Sequence, residues 1–442
     1  MSYSVSTGSP SFHDLVGVGF GPSNLALAIA LAEEHGERGL RTVFLERKEE
    51  FGWHRGLMLP DATMQVSFLK DLVTLRTPTS RFGFLSYLRE RDRLVDFINR
   101  GSDFPSRVEF HDYLEWAAAP FADQVRYGAE VLDVRPVRSG GRVTAWDVVS
   151  AERRPDGAGT DRAEVVRRTR NVVLATGITP ALPEGVERSE RVWHSEELLP
   201  RVASWPEGAG TRFAVVGAGQ SAAETAAHLH QRFPDAQVYA VMSRYGYSPA
   251  DDSPFANRVF DPSAVDDFYD APPAVRKRFY DYHANTNYSV VDLELIEELY
   301  RRHYEEKVTG RRRLHLVNLS VVEAVKPTSA GVALLLQRPG APGELEVDVV
   351  VFATGYRPMD PAAVLGEAAG HCVFDDAGRV RIRRDYRVVT APDVDAGVYL
   401  QGGTEHTHGL SSSLLSNVAV RSGEIAAAVA AGPVTPSDGC TA

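Results

Sequence analysis

Two glycine-rich turns, Gly17-Val18-Gly19-Phe20-Gly21-Pro22 and Gly217-Ala218-Gly219-Gln220-Ser221-Ala222, stand two hundred positions apart in a chain of 442 residues. Each follows an apolar run, Leu15-Val16 before the first and Phe213-Ala214-Val215-Val216 before the second. Each precedes a helix-like stretch and a further apolar run. Strand, glycine turn, helix and strand make the unit that receives a dinucleotide. Glycine lets backbone amides approach the pyrophosphate, and the helix N-terminus supplies a favourable dipole. The strand after the first turn, Thr42-Val43-Phe44-Leu45, ends in Glu46; the strand after the second, Val238-Tyr239-Ala240-Val241-Met242, ends near Arg244. An acid here suits a ribose 2′-hydroxyl and a base suits a 2′-phosphate. FAD at the first turn and NADPH at the second is the natural pair. One glycine fingerprint is weak evidence, but two mere tight turns would have to explain the strand and helix context twice. Counted from Gly17 and Gly217, the last glycine position holds Pro22 and Ala222. Ala is an accepted variant there, and Pro suits a first helical turn.

The rest of the chain narrows the class. A net charge of -11 argues against nucleic acid as the main partner, because a phosphate polymer needs a basic surface. No apolar run approaches membrane-spanning length, and the polar, Ser-rich stretch Met1 to Pro10 is unlike a signal peptide. The two cysteines, Cys372 and Cys440, cannot build a disulfide framework. A cytoplasmic protein is expected. His406 and His408 straddle Thr407, but no Cys or acid pair joins them, so no metal is expected. Ser411-Ser412-Ser413 lacks the strand-turn-helix elbow of a serine hydrolase. No general acid-base pair stands out, which assigns the hard chemistry to a cofactor.

The pattern along the chain predicts an α/β fold of two Rossmann-like dinucleotide-binding domains, the NADPH domain inserted in the FAD domain, with a small helical substrate-binding portion. The expected divisions are 10–205 for the first part of the FAD domain, 206–345 for the NADPH domain with its helical segment 251–308, 346–432 for completion of the FAD domain, and 433–442 for a disordered tail. Phe51 to Phe110 reads as a long irregular region, and loops that long are uncommon unless they build a site. Strand-like stretches fall at Val131–Val134 and Val143–Val149, with a hydrophilic hairpin tip from Arg153 to Asp161. Helices are expected over Asp267–Tyr282, Asp292–Tyr304 and Leu414–Ala430. Two apolar strands end alike, in Ala175-Thr176-Gly177 and Ala353-Thr354-Gly355. Ligands of open α/β sheets bind at that edge, although a routine strand-to-loop turn also fits.

Within the long irregular region, Met64 to Leu72 places Lys70 in an apolar run. Only five lysines occur in the whole chain. Lys70 suits a substrate carboxylate as a point charge, and equally suits a surface pair with Asp71. Asp251 to Asn257 and Asn285 to Ser289 carry Asn side chains that can hold carboxylate, amine and amide groups. Turn and capping chemistry favours the same residues.

Gly17 to Leu25, Met64 to Leu72, Asp252 to Asn257, Asn285 to Val291 and His406 to Ser416 together resemble the signatures of the microbial amino-acid N-hydroxylating flavin monooxygenases, the lysine N6-hydroxylases and ornithine N5-oxygenases, and most closely the ornithine branch. The resemblance runs from about His13 to Ala430. It implies hydroxylation of the side-chain amine of L-ornithine with FAD, NADPH and O2, for siderophore or related natural-product biosynthesis, by a homotetramer. L-lysine or a diamine such as putrescine or cadaverine is the alternative substrate. The resemblance places Gly17, Gly19, Gly21, Pro22, Ser23, Asn24, Glu46, Lys48, Trp53, His54, Gln65, Arg107, Val131, Thr354, Gly355, Thr407, Leu410, Leu414 and Leu415 along FAD. It places Gly217, Gly219, Gln220, Ser221, Ala222, Arg244, Asn287, Tyr288 and Ser289 along NADPH. Lys70, Gln65, Asn257, Phe260, Asn287 and Ser416 would meet the substrate, with Asn287 and Ser416 supporting flavin-borne catalysis. Which serine of the C-terminal loop touches substrate is open among Ser411, Ser412, Ser413 and Ser416.

Overall fold

A computed structural model describes residues 10–36, 39–153, 162–206, 210–283, 286 and 288–432. Asn285, Asn287, most of the hairpin tip and the 433–442 tail lie outside the described residues. The first sheet is built from β1 (Ser11–Val18), β2 (Thr42–Glu46), β3 (Val125–Tyr127), β4 (Glu130–Ser139), β5 (Arg142–Arg153) and β6 (Arg162–Leu174), in the order β3-β2-β1-β6-β5-β4. β1, β2, β3 and β6 run parallel, whereas β4 and β5 form an antiparallel hairpin whose second strand pairs with the first half of β6. The end of β1 and nearly all of β2 are buried, as their continuous apolar runs require in a sheet covered on both faces.

The chain leaves this sheet at Ala175-Thr176-Gly177 and crosses as β7 (Ile178–Pro180) into a second sheet. That sheet contains β8 (Val192–His194), β9 (Arg212–Val216), β10 (Gln237–Val241) and β11 (Leu314–Val317). A three-stranded antiparallel meander follows, with β12 (Val321–Pro327), β13 (Val332–Gln337) and β14 (Gly343–Val347). β15 (Val349–Phe352) then completes the second sheet in the all-parallel order β11-β10-β9-β15-β8. The return passage is Ala353-Thr354-Gly355 and β16 (Tyr356–Pro358), which pairs antiparallel with β7. The late strand β17 (Gly397–Leu400) finally pairs parallel with the end of β6, so the C-terminal segment completes the first sheet.

One nucleotide fold thus interrupts the other, but the passages differ from the expected divisions. β8 and β15, assigned by sequence to the 10–205 and 346–432 pieces, both belong to the second sheet. Short apolar strands look alike in either sheet; only pairing assigns them. The two Ala-Thr-Gly endings are the paired exits from the two sheets.

Three helical readings also change. Asp267–Tyr282 is broken into helices Pro262–Asp270 and Pro273–His283, because Pro272 and Pro273 disfavour helical backbone before them. The last helix starts at Val418 rather than Leu414, after two 3-10 turns at Leu410–Ser413 and Leu415–Asn417. The Phe51–Phe110 region holds helices Phe84–Glu90 and Leu94–Arg100, whose Phe84, Tyr87, Leu88 and Phe97 enter the first core. A third helix, Arg107–Ala118, is capped by Ser106, whose hydroxyl accepts from Glu109 N at 3.1 Å.

Candidate functional site

The two glycine turns are built alike once aligned by structure. β1 ends at Val18 and the helix Pro22–His35 begins after Gly21; β9 ends at Val216 and the helix Gln220–Arg232 begins after Gly219. Gly19 therefore corresponds to Gly217 and Gly21 to Gly219. Gly17 lies inside β1, packed on the Phe44 ring. The last position of the first fingerprint is consequently Asn24, not Pro22, and that of the second is Ala222. Asn24 is fully buried, and its amide donates to the Gly19 carbonyl at 2.7 Å. Gly19 (φ +85°) and Gly217 (φ +148°) occupy conformations that L side chains rarely adopt. A Cβ at Gly19 would lie 2.4 Å from the Ala175 carbonyl oxygen, and one at Gly217 would lie 2.4 Å from that of Ala353. Each Ala-Thr-Gly exit thus leans on its own glycine turn.

Glu46 ends β2 with both carboxylate oxygens anchored. Oε2 accepts from Phe20 N at 2.7 Å and Oε1 from Lys48 N at 2.9 Å. The carboxylate is held against the first turn, with lone pairs left for ribose hydroxyls. The Lys48 ammonium donates to the Gly52 carbonyl at 2.7 Å. Trp53 is half-buried against Phe110 and His54. His54 has φ +47° and packs edge-on to Tyr356. Burial, with Arg107 and Lys48 nearby, lowers its pKa to about 4, so the ring is neutral at pH 7. Gln65 is exposed and Val131 half-buried in β4.

Polar atoms around the first turn and the C-terminal loop fit a large polar cofactor. Asn24 Oδ1, Thr404 Oγ1, Ser412 Oγ, Ser416 Oγ and both amide atoms of Gln401 are buried with no hydrogen-bond partner among the described residues. Such groups are costly unless a ligand or water pairs them. Above Gly21 the space is open, with nothing within 4 Å of a Cβ there. The residues present therefore fit FAD. Leu410 is buried, and Leu414 and Leu415 are half-buried in the same loop. Ser411 Oγ accepts from Asn417 Nδ2 at 3.0 Å, which leaves Ser412 and Ser416 as the loop's unpaired described hydroxyls. Thr407 donates to the Thr404 carbonyl at 3.1 Å. His408 stacks on Tyr386 at 4.1 Å, and burial lowers its pKa to about 3. Among the described residues no His, Cys, Asp and Glu cluster could hold a metal ion.

At the second turn Arg244 lies three residues after the end of β10 and is exposed. Its guanidinium donates to the Ser289 carbonyl at 2.8 Å, and Ser289 Cα lies 3.4 Å from where a Gly219 Cβ would be. Tyr288 reaches the other way, donating to Glu405 Oε1 at 2.6 Å. The 288–289 segment therefore joins the second glycine turn to the C-terminal loop of the first domain. Ser221 is half-buried in the first turn of its helix.

Four residues expected along the cofactors hydrogen-bond to protein. Arg107 gives Nη1 and Nη2 to Glu224 Oε2 and Oε1 at 2.8 and 2.7 Å, across the two domains. Gln220 donates to Glu224 at 2.9 Å and to Asp292 at 2.8 Å, and accepts from Asp292 N at 2.8 Å. Thr354 donates to the Ala181 carbonyl, and Gly355 O accepts from Ala181 N, so both serve the crossover. Glu224 was missed from sequence because its partner lies 117 positions away.

The Lys70–Asp71 pair does not form. Asp71 is 2% exposed and accepts from Val73 N, Thr74 N, Thr74 Oγ1 and Phe84 N at 2.7–2.9 Å. Lys70 is half-buried, its ammonium 6.0 Å from the centre of the Phe260 ring. No carboxylate among the described residues forms an ion pair with it. Asn257 and Phe260 lie three apart on the 3-10 turn Ala256–Phe260 and so share a face. The Asn257 amide donates to the Asp252 carbonyl at 2.8 Å, which leaves its oxygen available.

Comparison with known proteins agrees with this layout. The family model for L-lysine 6-monooxygenase/L-ornithine 5-monooxygenase matches residues 11–358. The L-ornithine N(5)-monooxygenase of Pseudomonas aeruginosa is 41% identical over 428 residues, covering 95% of this chain and 94% of the relative. The reduced-FAD, NADP+ and L-orn form of Kutzneria sp. 744 ornithine N-hydroxylase is 49% identical with a TM-score of 0.90, covering 96% of this chain and 99% of that one. L-lysine 6-monooxygenase from Pseudomonas syringae is 32% identical with a TM-score of 0.81, covering 95% and 99%. The chain belongs to the L-lysine 6-monooxygenase/L-ornithine 5-monooxygenase family.

Proposed function

We propose that this chain is an FAD- and NADPH-dependent monooxygenase that converts L-ornithine to N5-hydroxy-L-ornithine. The observation that carries the substrate is Lys70, a half-buried cation without a carboxylate partner among the described residues, beside the face of Asn257 and Phe260. An amino acid brings an α-carboxylate to that ammonium; a diamine brings a second cation. The higher identity to the Kutzneria ornithine enzyme than to the Pseudomonas syringae lysine enzyme supports ornithine over lysine.

FAD, when bound and reduced by NADPH, would activate O2, one atom of which goes to the substrate amine and the other to water. The chain's residues bind and orient. Glu46 takes the FAD ribose hydroxyls, with Gly19, Gly21, Pro22, Ser23 and Asn24 at the pyrophosphate and Trp53, His54, Gln65 and Val131 along the cofactor. Gly217, Gly219, Ser221 and Ala222 hold the NADPH pyrophosphate and Arg244 its 2′-phosphate, and Tyr288 and Ser289 also face NADPH. Lys70 pairs with the substrate α-carboxylate, and the Asn257 oxygen accepts from its α-ammonium. Ser416 and the 407–415 loop line the reacting end, with Asn287. The δ-amine must be neutral, because an ammonium has no lone pair to attack oxygen. A dry, non-acidic pocket around that amine would favour the neutral form. The NADPH unit spans about 178–358, between the paired crossovers. A homotetramer is what the family resemblance implies; among the described residues no helix is long and apolar enough to cross a membrane. Leu293, Tyr300, Tyr304 and Val308, exposed along one stripe of the helix Leu293–Thr309, offer apolar surface for assembly. Sedimentation of a monomer at micromolar concentration would refute the tetramer.

Hydroxylamine formation measured on L-ornithine, L-lysine and putrescine tests the reaction. Ornithine is expected to be hydroxylated best, with weak lysine activity, since one methylene is worth about 1–3 kcal/mol. Putrescine as the best substrate would refute the carboxylate role of Lys70. In the same assay, Arg244→Ala should cut the NADPH-over-NADH preference by roughly 10- to 100-fold, the loss of one charge-assisted phosphate contact. An unchanged ratio would remove Arg244 from the phosphate site.

A further inference from the structure

Arg421 is the fourth residue of the C-terminal helix Val418–Ala431, a helix otherwise rich in Ala and Val. It is 2% exposed, which is rare for an arginine without an acid partner. No Asp or Glu among the described residues forms an ion pair with it. Glu424, on the same helix, accepts from Arg384 through both carboxylate oxygens at 2.9 Å. The Arg421 guanidinium instead donates to the carbonyls of Ser411 and Ser412 through Nη1 and to Ser23 Oγ at 3.4 Å through Nη2. Its Nε is buried with no partner. The nearby helix terminus does not compensate the charge: a cation in the first helical turn sits at the positive end of the dipole. Tyr386 and Glu424 favour the Arg421 charge only through space, with no hydrogen bond to it, and a buried charge so weakly offset is unfavourable, so the arrangement calls for an anion.

The position of Ser23 says which anion. It is the second residue of the helix that begins after Gly21, and that helix end is where a dinucleotide pyrophosphate sits. We propose that Arg421 is the buried counter-charge of the FAD pyrophosphate, and that by also holding the Ser411 and Ser412 carbonyls it ties the C-terminal loop to the seated cofactor. The inference rests on the FAD reading of the first turn. FAD binding then adds a partner to Arg421 as well as filling a cavity, so the charge should weigh differently on the empty and the loaded protein.

The test compares deflavinated and FAD-loaded protein. Fluorescence titration gives the FAD dissociation constant, and thermal melting gives Tm in each state. Arg421→Gln should weaken FAD binding by about tenfold or more and shrink the rise in Tm that FAD produces, while leaving the flavin-free Tm equal or higher. The reduction potential of bound flavin should stay unchanged. Arg421→Lys keeps the charge without the fork, and should weaken FAD only several-fold; it covers a Gln variant that fails to fold or to retain FAD. Equal losses of Tm in both states with an unaltered dissociation constant would mean a purely structural arginine and overturn the proposal. A shifted potential would place the charge at the flavin ring and overturn the pyrophosphate assignment. Failure of the unsubstituted protein to bind FAD would instead refute the underlying FAD reading.

Discussion

Lys70→Ala should lower kcat/KM for L-ornithine on the order of 100-fold, because the α-carboxylate would enter a half-buried site with no cation to meet it. Most of the loss should fall on KM, since the carboxylate is far in covalent terms from the reacting δ-amine and is held alike in ground and transition states. Flavin reduction by NADPH should keep its rate, because Lys70 belongs to the long segment before the helix Arg107–Ala118 and not to either glycine turn. The measurement is steady-state hydroxylamine formation beside single-turnover flavin reduction. An ornithine KM like that of the unsubstituted enzyme would sink the assignment. Asp71 cannot take over the effect indirectly, since its carboxylate is already filled by four hydrogen bonds that shape the Asp71–Phe84 loop.

The second large effect is on stability. Arg107→Ala should cost about 3–5 kcal/mol, the typical penalty for leaving one partner of a buried ion pair uncompensated. Arg107 and Glu224 have side-chain exposures of 14% and 6%, and their bidentate contact joins the helix Arg107–Ala118 to the helix Gln220–Arg232 of the second domain. Glu224 would then keep only the Gln220 amide. Changing Glu224 to Leu as well removes the stranded charge, so the double variant should recover part of the loss. Urea denaturation of the two single variants and the double variant measures this, and strictly additive losses would contradict a coupled pair. Arg107→Ala should loosen the approach of the two domains, because the pair links them with both side chains largely shielded from water.

The dinucleotide architecture could be read in the linear chain because its determinants are local. Apolar runs, a glycine turn and a helix N-terminus lie within about twenty residues of one another, and the acid or base that reads the ribose follows at a set distance. Glu46 ends β2, and Arg244 follows the end of β10 by three residues. The alignment of the first turn could not be read as safely. Three glycines at alternate positions allow two registers, and only the end of β1 shows that Gly19 and Gly21 make the turn and that Asn24 fills its last position.

The sequence by itself thus determined the fold class, the two glycine turns with their helices and the pairing of FAD with NADPH. Only the tertiary structure decided how these parts are joined. It assigned β8 and β15 to the second sheet, paired Arg107 with Glu224 across the domains, released Lys70 from Asp71, and set Arg421 beside Ser23, 398 positions away. The physical reason is range. Strand and turn propensities act between neighbours, whereas strand pairing, the burial of a charge and the choice of its partner depend on residues that meet only after the chain has crossed from one sheet to the other and back.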